Sequence, residues 1–252
     1  MGKKAARQSV THLEEVRQHQ EFLETRFLKR GGWDPLAIAD EQRDRRYVRN
    51  VRPMSDNQRQ LMAAVASHSL TFAIGPAGTG KTYLAIAQAV EALEKGSVSR
   101  IVLTRPAVEA GEHLGFLPGA LEDKLDPYLR PLFDALGERL GGKRLRAMMS
   151  DGTIEIAPVA YMRGRTLNNA FIVIDEAQNC TYAQIKMLLT RLGWHSTMVV
   201  TGDPEQTDLL PELSGLASIA ARLEALERIA VVRMTREDVV RHPLVGEMLE
   251  VL

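Results

Sequence analysis

Six short apolar runs punctuate the chain from Leu70 onward, separated by stretches in which apolar residues recur at helical spacing. The runs are 70–74 (LTFAI), 101–104 (IVLT), 154–159 (IEIAPV), 171–174 (FIVI), 197–201 (TMVVT) and 229–234 (IAVVRM). Short, β-branched and almost continuously apolar, they predict strands buried on both faces; their alternation with helices predicts an α/β fold with a parallel sheet covered on both sides. Residues 53–252 are read as one such domain, with 106–152 as a segment inserted above the sheet, holding turns and one or two helices. Residues 1–52 read differently. Val10–Arg30 suggests a polar helix with Leu13, Val16, Phe22, Leu23 and Phe27 on a weak stripe, followed by charged coil, which together make an N-terminal helical arm.

The first strand stops at a glycine. Gly75, Pro76, Ala77, Gly78, Thr79, Gly80, Lys81 and Thr82 fill the pattern G-x-x-x-x-G-K-T, and apolar residues then return at helical spacing through Tyr83, Leu84, Ile86, Ala87 and Val90. A loop poor in side chains lets backbone N–H groups close around phosphate oxygens, and the following helix adds the positive end of its dipole. Residues 75–83 are therefore the candidate nucleotide-binding residues, with Lys81 reaching the β- and γ-phosphates and Thr82 ligating Mg²⁺.

Two further strand ends carry polar residues suited to the same chemistry. FIVI runs into Asp175 and Glu176. An acid there can hold Mg²⁺ beside Thr82, and a neighbouring glutamate can polarise an attacking water. TMVVT runs into Gly202-Asp203-Pro204-Glu205-Gln206, where the Gln206 amide could sense a γ-phosphate.

Composition adds exclusions. With 252 residues, 45% of them hydrophobic and 25% charged, the chain has ordinary globular composition and enough length for a sizeable core. One cysteine, Cys180, excludes an internal disulfide framework, and no apolar run suggests a signal peptide or a membrane span. A cytoplasmic protein without membrane partners is the expectation. Lys plus Arg equals Asp plus Glu at 32 each, so no global basic footprint announces nucleic acid. Local basic clusters do exist, and Arg139, Lys143, Arg144, Arg163 and Arg165 are the candidate polyanion contacts. His113, His195 and His242 lack the spacing of a metal site, and Cys180 has no evident base beside it.

The order of the P-loop, Asp175-Glu176 and Gln206 resembles that of superfamily 1 helicase-like ATPases, in which a glutamine at the position of Gln58 reads adenine. With TRPAVEAGEHLGFLPG, DPYLRPLFDAL, YMRGRTLNNAFIVIDEAQN and EDVVRHPLV, the set resembles the PhoH family from about Met54 to Val245. That resemblance implies a single RecA-like P-loop NTPase core, ATP and Mg²⁺ as cofactors, RNA handling, and a ring of six subunits. One P-loop in one core leaves no second half to supply a cation to the γ-phosphate, so a neighbouring copy is expected to do so, with Arg241 as the candidate finger. A salt bridge from Arg241 to Asp238 is the competing assignment. The leading expectation is a Mg²⁺-dependent ATPase that couples hydrolysis to RNA binding, remodelling or unwinding, with single-stranded RNA as the expected partner. The alternative is an ATP-regulated switch that recruits an RNase or a ribosome-maturation partner. A small-molecule kinase is disfavoured by Glu176, whose carboxylate suits water activation.

Overall fold

The computed structural model describes residues 51–106, 121–210, 213–240 and 248, and for 121–127 the backbone alone. The expected N-terminal arm lies outside these residues.

The chain order is α1 (Asp56–Ser67), β1 (Leu70–Ile74), α2 (Lys81–Glu94), β2 (Arg100–Arg105), α3 (Leu121–Leu140), α4 (Gly142–Ser150), β3 (Ile154–Pro158), β4 (Ala170–Ile174), α5 (Tyr182–Leu189), β5 (Thr197–Gly202), α6 (Leu216–Leu223) and β6 (Ile229–Arg233). The strands form one sheet in the order β3-β2-β4-β5-β1-β6, and every pairing is parallel. All six apolar runs became strands, with ends within a residue of the expected ones.

Alternation along each strand sends side chains to two cores. Ala73, Ile101, Leu103, Ile156, Phe171, Val173 and Val199 meet α1–α4 on one face. Phe72, Ile74, Val102, Ile172, Ile174, Met198 and Val200 meet α5, α6 and the short helices on the other. Both faces are dry, so the strands carry no polar stripe to mark an outside. Helix starts follow local chemistry: the Ser55 hydroxyl caps α1 at the Gln58 N–H, and Thr181 with Gln184 forms a reciprocal capping box on α5.

The inserted segment departs from expectation. Helices α3 and α4 join the helical layer on one face, burying Leu129, Leu132, Phe133, Leu136, Leu145 and Met149 against α2 and the sheet. Apolar residues at helical spacing over 20 residues of α3 must bury a stripe, and a flank offers more apolar area than a rim does. Residues 107–120 lie outside the described ones.

That placement corrects the basic cluster. Arg139 is only 3% exposed. Arg144 donates to Glu94 at 2.8 Å, at the far end of α2 from the P-loop, about 20 Å away at 1.5 Å per residue. Lys143, exposed beside it on α4, shares that remote position. Arg165 is corrected too: it forms two parallel bonds to Glu155, at 2.5 and 2.6 Å, with both side chains largely buried. Its charge is used inside the fold. Arg165→Ala would strand the Glu155 carboxylate and should destabilise the domain by about 3 kcal/mol, whereas Arg163→Ala should not. Chemical denaturation checks this; equal midpoints for the two variants would contradict it. Among the described residues, no helix is long and apolar enough to cross a membrane.

Candidate active site

The sheet order puts β5 between β1 and β4, so the P-loop and Asp175 leave strands that are two apart. Register sets the heights. Ala73 pairs with Thr201 and Ile74 with Gly202, while Ile174 pairs with Val200, so Asp175 emerges beside Thr201. The Gly75 N–H extends the ladder to the Gly202 carbonyl, and the Asp175 N–H ties back to Thr104 of β2.

The loop then turns on glycines with positive φ: 142° at Gly75, 82° at Gly78 and 81° at Gly80. Gly75 has a second reason, since a Cβ there would run into the Met234 carbonyl. Four of the loop's carbonyls already have donors. Lys81 Nζ donates to Gly75 O at 2.6 Å and Pro76 O at 2.7 Å, Gln58 Nε2 to Thr79 O at 3.1 Å, and the Val240 N–H to Gly78 O at 3.0 Å. Among the described residues no bond uses the N–H groups of residues 77–82, the groups that would meet a phosphate. Burial lowers the Lys81 pKa from its ordinary value, and Asp203, Glu176 and Asp175 pull it back up.

Opposite the loop, Asp175 is buried and collects hydroxyls. Thr82 Oγ1 donates to its Oδ1 at 2.6 Å and Thr201 Oγ1 to the same oxygen at 2.7 Å. Arg105, from the end of β2, approaches Asp175 Oδ2 at 3.4 Å and Glu176 Oε1 at 3.6 Å. Glu176 has φ 51°, a left-handed conformation that aims its carboxylate off the strand line. Lys81, Thr82, Tyr83, Asp175, Glu176, Asp203 and Gln206 line one cavity of about 280 Å³ with the loop glycines Gly78 and Gly80. Tyr83 thus faces the cavity, half-exposed, and does not join the core face of α2. The oxygen donors suit a hard cation: Thr82 and Asp175 already touch, and Mg²⁺ takes one or two such protein ligands beside phosphates and waters.

Gln58, the expected adenine reader, sits against the back of the P-loop. It is 4% exposed, its Nε2 holds Thr79 O, and its Oε1 accepts from the Met54 N–H at 2.7 Å. Both ends of the amide are engaged in bracing the P-loop from behind. Arg241 lies outside the described residues, as do His113 and His242. His195 is exposed. Cys180 is fully buried, and burial pushes its thiol up to about 12, so it stays protonated and inert.

The model of the family described as PhoH-like protein matches residues 50–252. The chain belongs to the PhoH-like family. The family match takes in every described strand and the whole cavity. The PhoH-like protein of Bacillus subtilis strain 168 is 54% identical over 203 residues, 80% of this chain and 64% of that protein. Protein PhoH of Escherichia coli K12 is 43% identical over 231 residues, 90% of this chain and 64% of that protein. The chain therefore spans just under two thirds of these PhoH relatives. Among solved structures, the large terminase of a thermophilic bacteriophage superposes with a TM-score of 0.51 at 11% identity, over 79% of this chain and 50% of that one. At that identity the likeness is one of fold.

Four residues around the site received no role from the sequence: Thr201 and Asp203 line the cavity, and Arg105 and Gln178 touch its acidic residues. Arg105 left one signal, a charge closing the otherwise apolar run IVLTR. Thr201 and Gln178 left none, because what they do depends on which strands become neighbours.

Proposed function

We propose that this chain is a Mg²⁺-dependent ATPase that couples hydrolysis to RNA binding or remodelling, working as a ring of identical subunits. One observation carries the reading: the 2.6 Å bond from Thr82 to Asp175 brings the P-loop and the acidic strand end together across an intervening strand. The P-loop N–H groups and Lys81 bind and orient the triphosphate. Thr82 and Asp175 are the residues that would hold Mg²⁺, which when bound supplies a Lewis acid that draws charge from the phosphate oxygens. Glu176 orients a water and accepts its proton at a carboxylate oxygen as the water attacks the γ-phosphorus. Gln206, in the turn after β5, contacts the γ-phosphate and loses that contact once phosphate leaves.

A second reading has one observation in its favour. Both oxygens of Glu176 are engaged, by Arg105 and by Gln178 at 2.5 Å, as in a switch that hydrolyses only when a partner frees the carboxylate. Steady-state ATPase measured with a panel of nucleic acids separates the two. Stimulation by single-stranded RNA supports the motor. An unchanged basal rate with no RNA binding at low salt supports the switch.

Arg139 and Arg165 are buried and Lys143 and Arg144 lie at the far end of α2, whereas Arg163 is exposed beside Gly164, between β3 and β4. Arg163→Ala should weaken RNA binding across sequences and reduce the slope of log K against log salt by about 1. Titrations at several salt concentrations measure it, and an unaltered slope would remove Arg163 from the interface.

A further inference from the structure

Gln178 is 3% exposed, yet each of its polar groups is spoken for. Its Nε2 donates to Glu176 Oε2 at 2.5 Å, and its Oε1 accepts from the Asp203 N–H at 3.1 Å. Chemistry fixes which end of the amide is which: a carboxylate can only accept, and a backbone N–H can only donate. The main chain of the same residue completes a hub. Its carbonyl accepts from Thr207 Oγ1 and from Ser214 Oγ, both at 3.0 Å. Gly202 makes room for the side chain, since a Cβ there would crowd both Gln178 and Leu216.

One residue thus joins the acid at the end of β4 to the turn after β5, which carries Gln206. We infer that Gln178 is a positioning residue that transmits the placement of the 203–207 turn to the Glu176 carboxylate. The inference rests on Glu176 acting in hydrolysis. When the turn shifts about a γ-phosphate, the Asp203 N–H moves, the amide follows it, and the carboxylate is re-aimed. A neutral amide suits this task, because one end must donate to an anion while the other accepts from an N–H.

Two substitutions test it. Gln178→Ala removes the link and should lower kcat by about tenfold to a hundredfold, with KM and equilibrium ATP affinity unchanged. Gln178→Glu keeps the length and the acceptor. Protonated, it still donates to Glu176; ionised, it repels it. The charges facing this pair are Arg105 from β2, Lys81 from α2, Asp175 beside Glu176, and Asp203 at the end of β5. These are common to both proteins, so the ratio of Gln178→Glu to wild-type kcat isolates the new acid. That ratio should be highest at the acid end of the profile and fall as pH rises. Should Gln178→Ala fail to fold, Gln178→Glu carries the test.

A ratio flat with pH overturns the inference, as does full kcat in Gln178→Ala. Loss of ATP affinity in step with kcat overturns it too, by making Gln178 a packing residue. Absence of turnover in the wild type is a separate result: it overturns the hydrolytic reading, and this inference with it.

Discussion

Glu176→Gln should bind ATP as the wild type does and hydrolyse it about 10²–10⁴-fold more slowly. The substitution keeps the shape and removes only the group that accepts the proton. Lys81→Ala should behave differently. Its ammonium sits among loop carbonyls, 8% exposed and ready to exchange them for phosphate oxygens. Losing a charge-assisted contact of about 1.5–3 kcal/mol weakens ATP by roughly tenfold to a hundredfold, and turnover falls with it. Equilibrium nucleotide titration beside single-turnover kinetics resolves the two patterns. Comparable turnover in wild type and Glu176→Gln would remove Glu176 from the chemistry.

Arg241→Ala carries the largest expected loss, about 10³–10⁵ in rate if the guanidinium meets the transition state. The described residues sharpen how it should be tested. Asp238, the competing partner, is buried and already accepts from Asn57 Nδ2 at 2.8 Å and from the Thr235 N–H at 2.6 Å. Burial pushes its carboxyl up, but those bonds, with one from Ser55, together hold it below the ordinary range. An ion pair with Arg241 would add little to an acid so well supplied. Val240, one residue earlier, donates its N–H to Gly78 of the same chain's P-loop. The backbone at Val240 is therefore tethered to its own nucleotide loop, so the test has to separate action of Arg241 within one subunit from action on a neighbour. Mixing Arg241→Ala with Lys81→Ala protein decides. Recovered ATPase requires an intact arginine on one chain to serve an intact P-loop on another, which supports the ring. No recovery, together with a fully active monomer in sedimentation, assigns the arginine to its own site and ends the argument for a shared one.

Much of this architecture could be read from the chain because it is written locally. Strands buried on both faces are apolar runs bounded by polar turns, and the P-loop needs its glycines at fixed offsets, so β1 to β6 and the 75–82 loop stand out one stretch at a time. What failed to show was non-local. Arg105 reaches Asp175 and Glu176 only because β2 lies beside β4, and Thr201 meets Asp175 only because β5 lies between β4 and β1. Charge counting erred for the same reason. Arg139 and Arg165 look like surface residues until burial and Glu155 claim them, and nothing along the chain tells that the Gln58 amide braces Thr79. A sequence shows which side chains carry charge and amide groups, and only packing shows which of them are spare.

Glu176 holds a backbone conformation that a residue with a Cβ adopts at a cost of about 1–2 kcal/mol, and glycine adopts freely. Selection for heat resistance alone would favour glycine at this position, and the carboxylate would be lost with the strain. Added robustness that keeps the carboxylate therefore has to come from elsewhere in the fold.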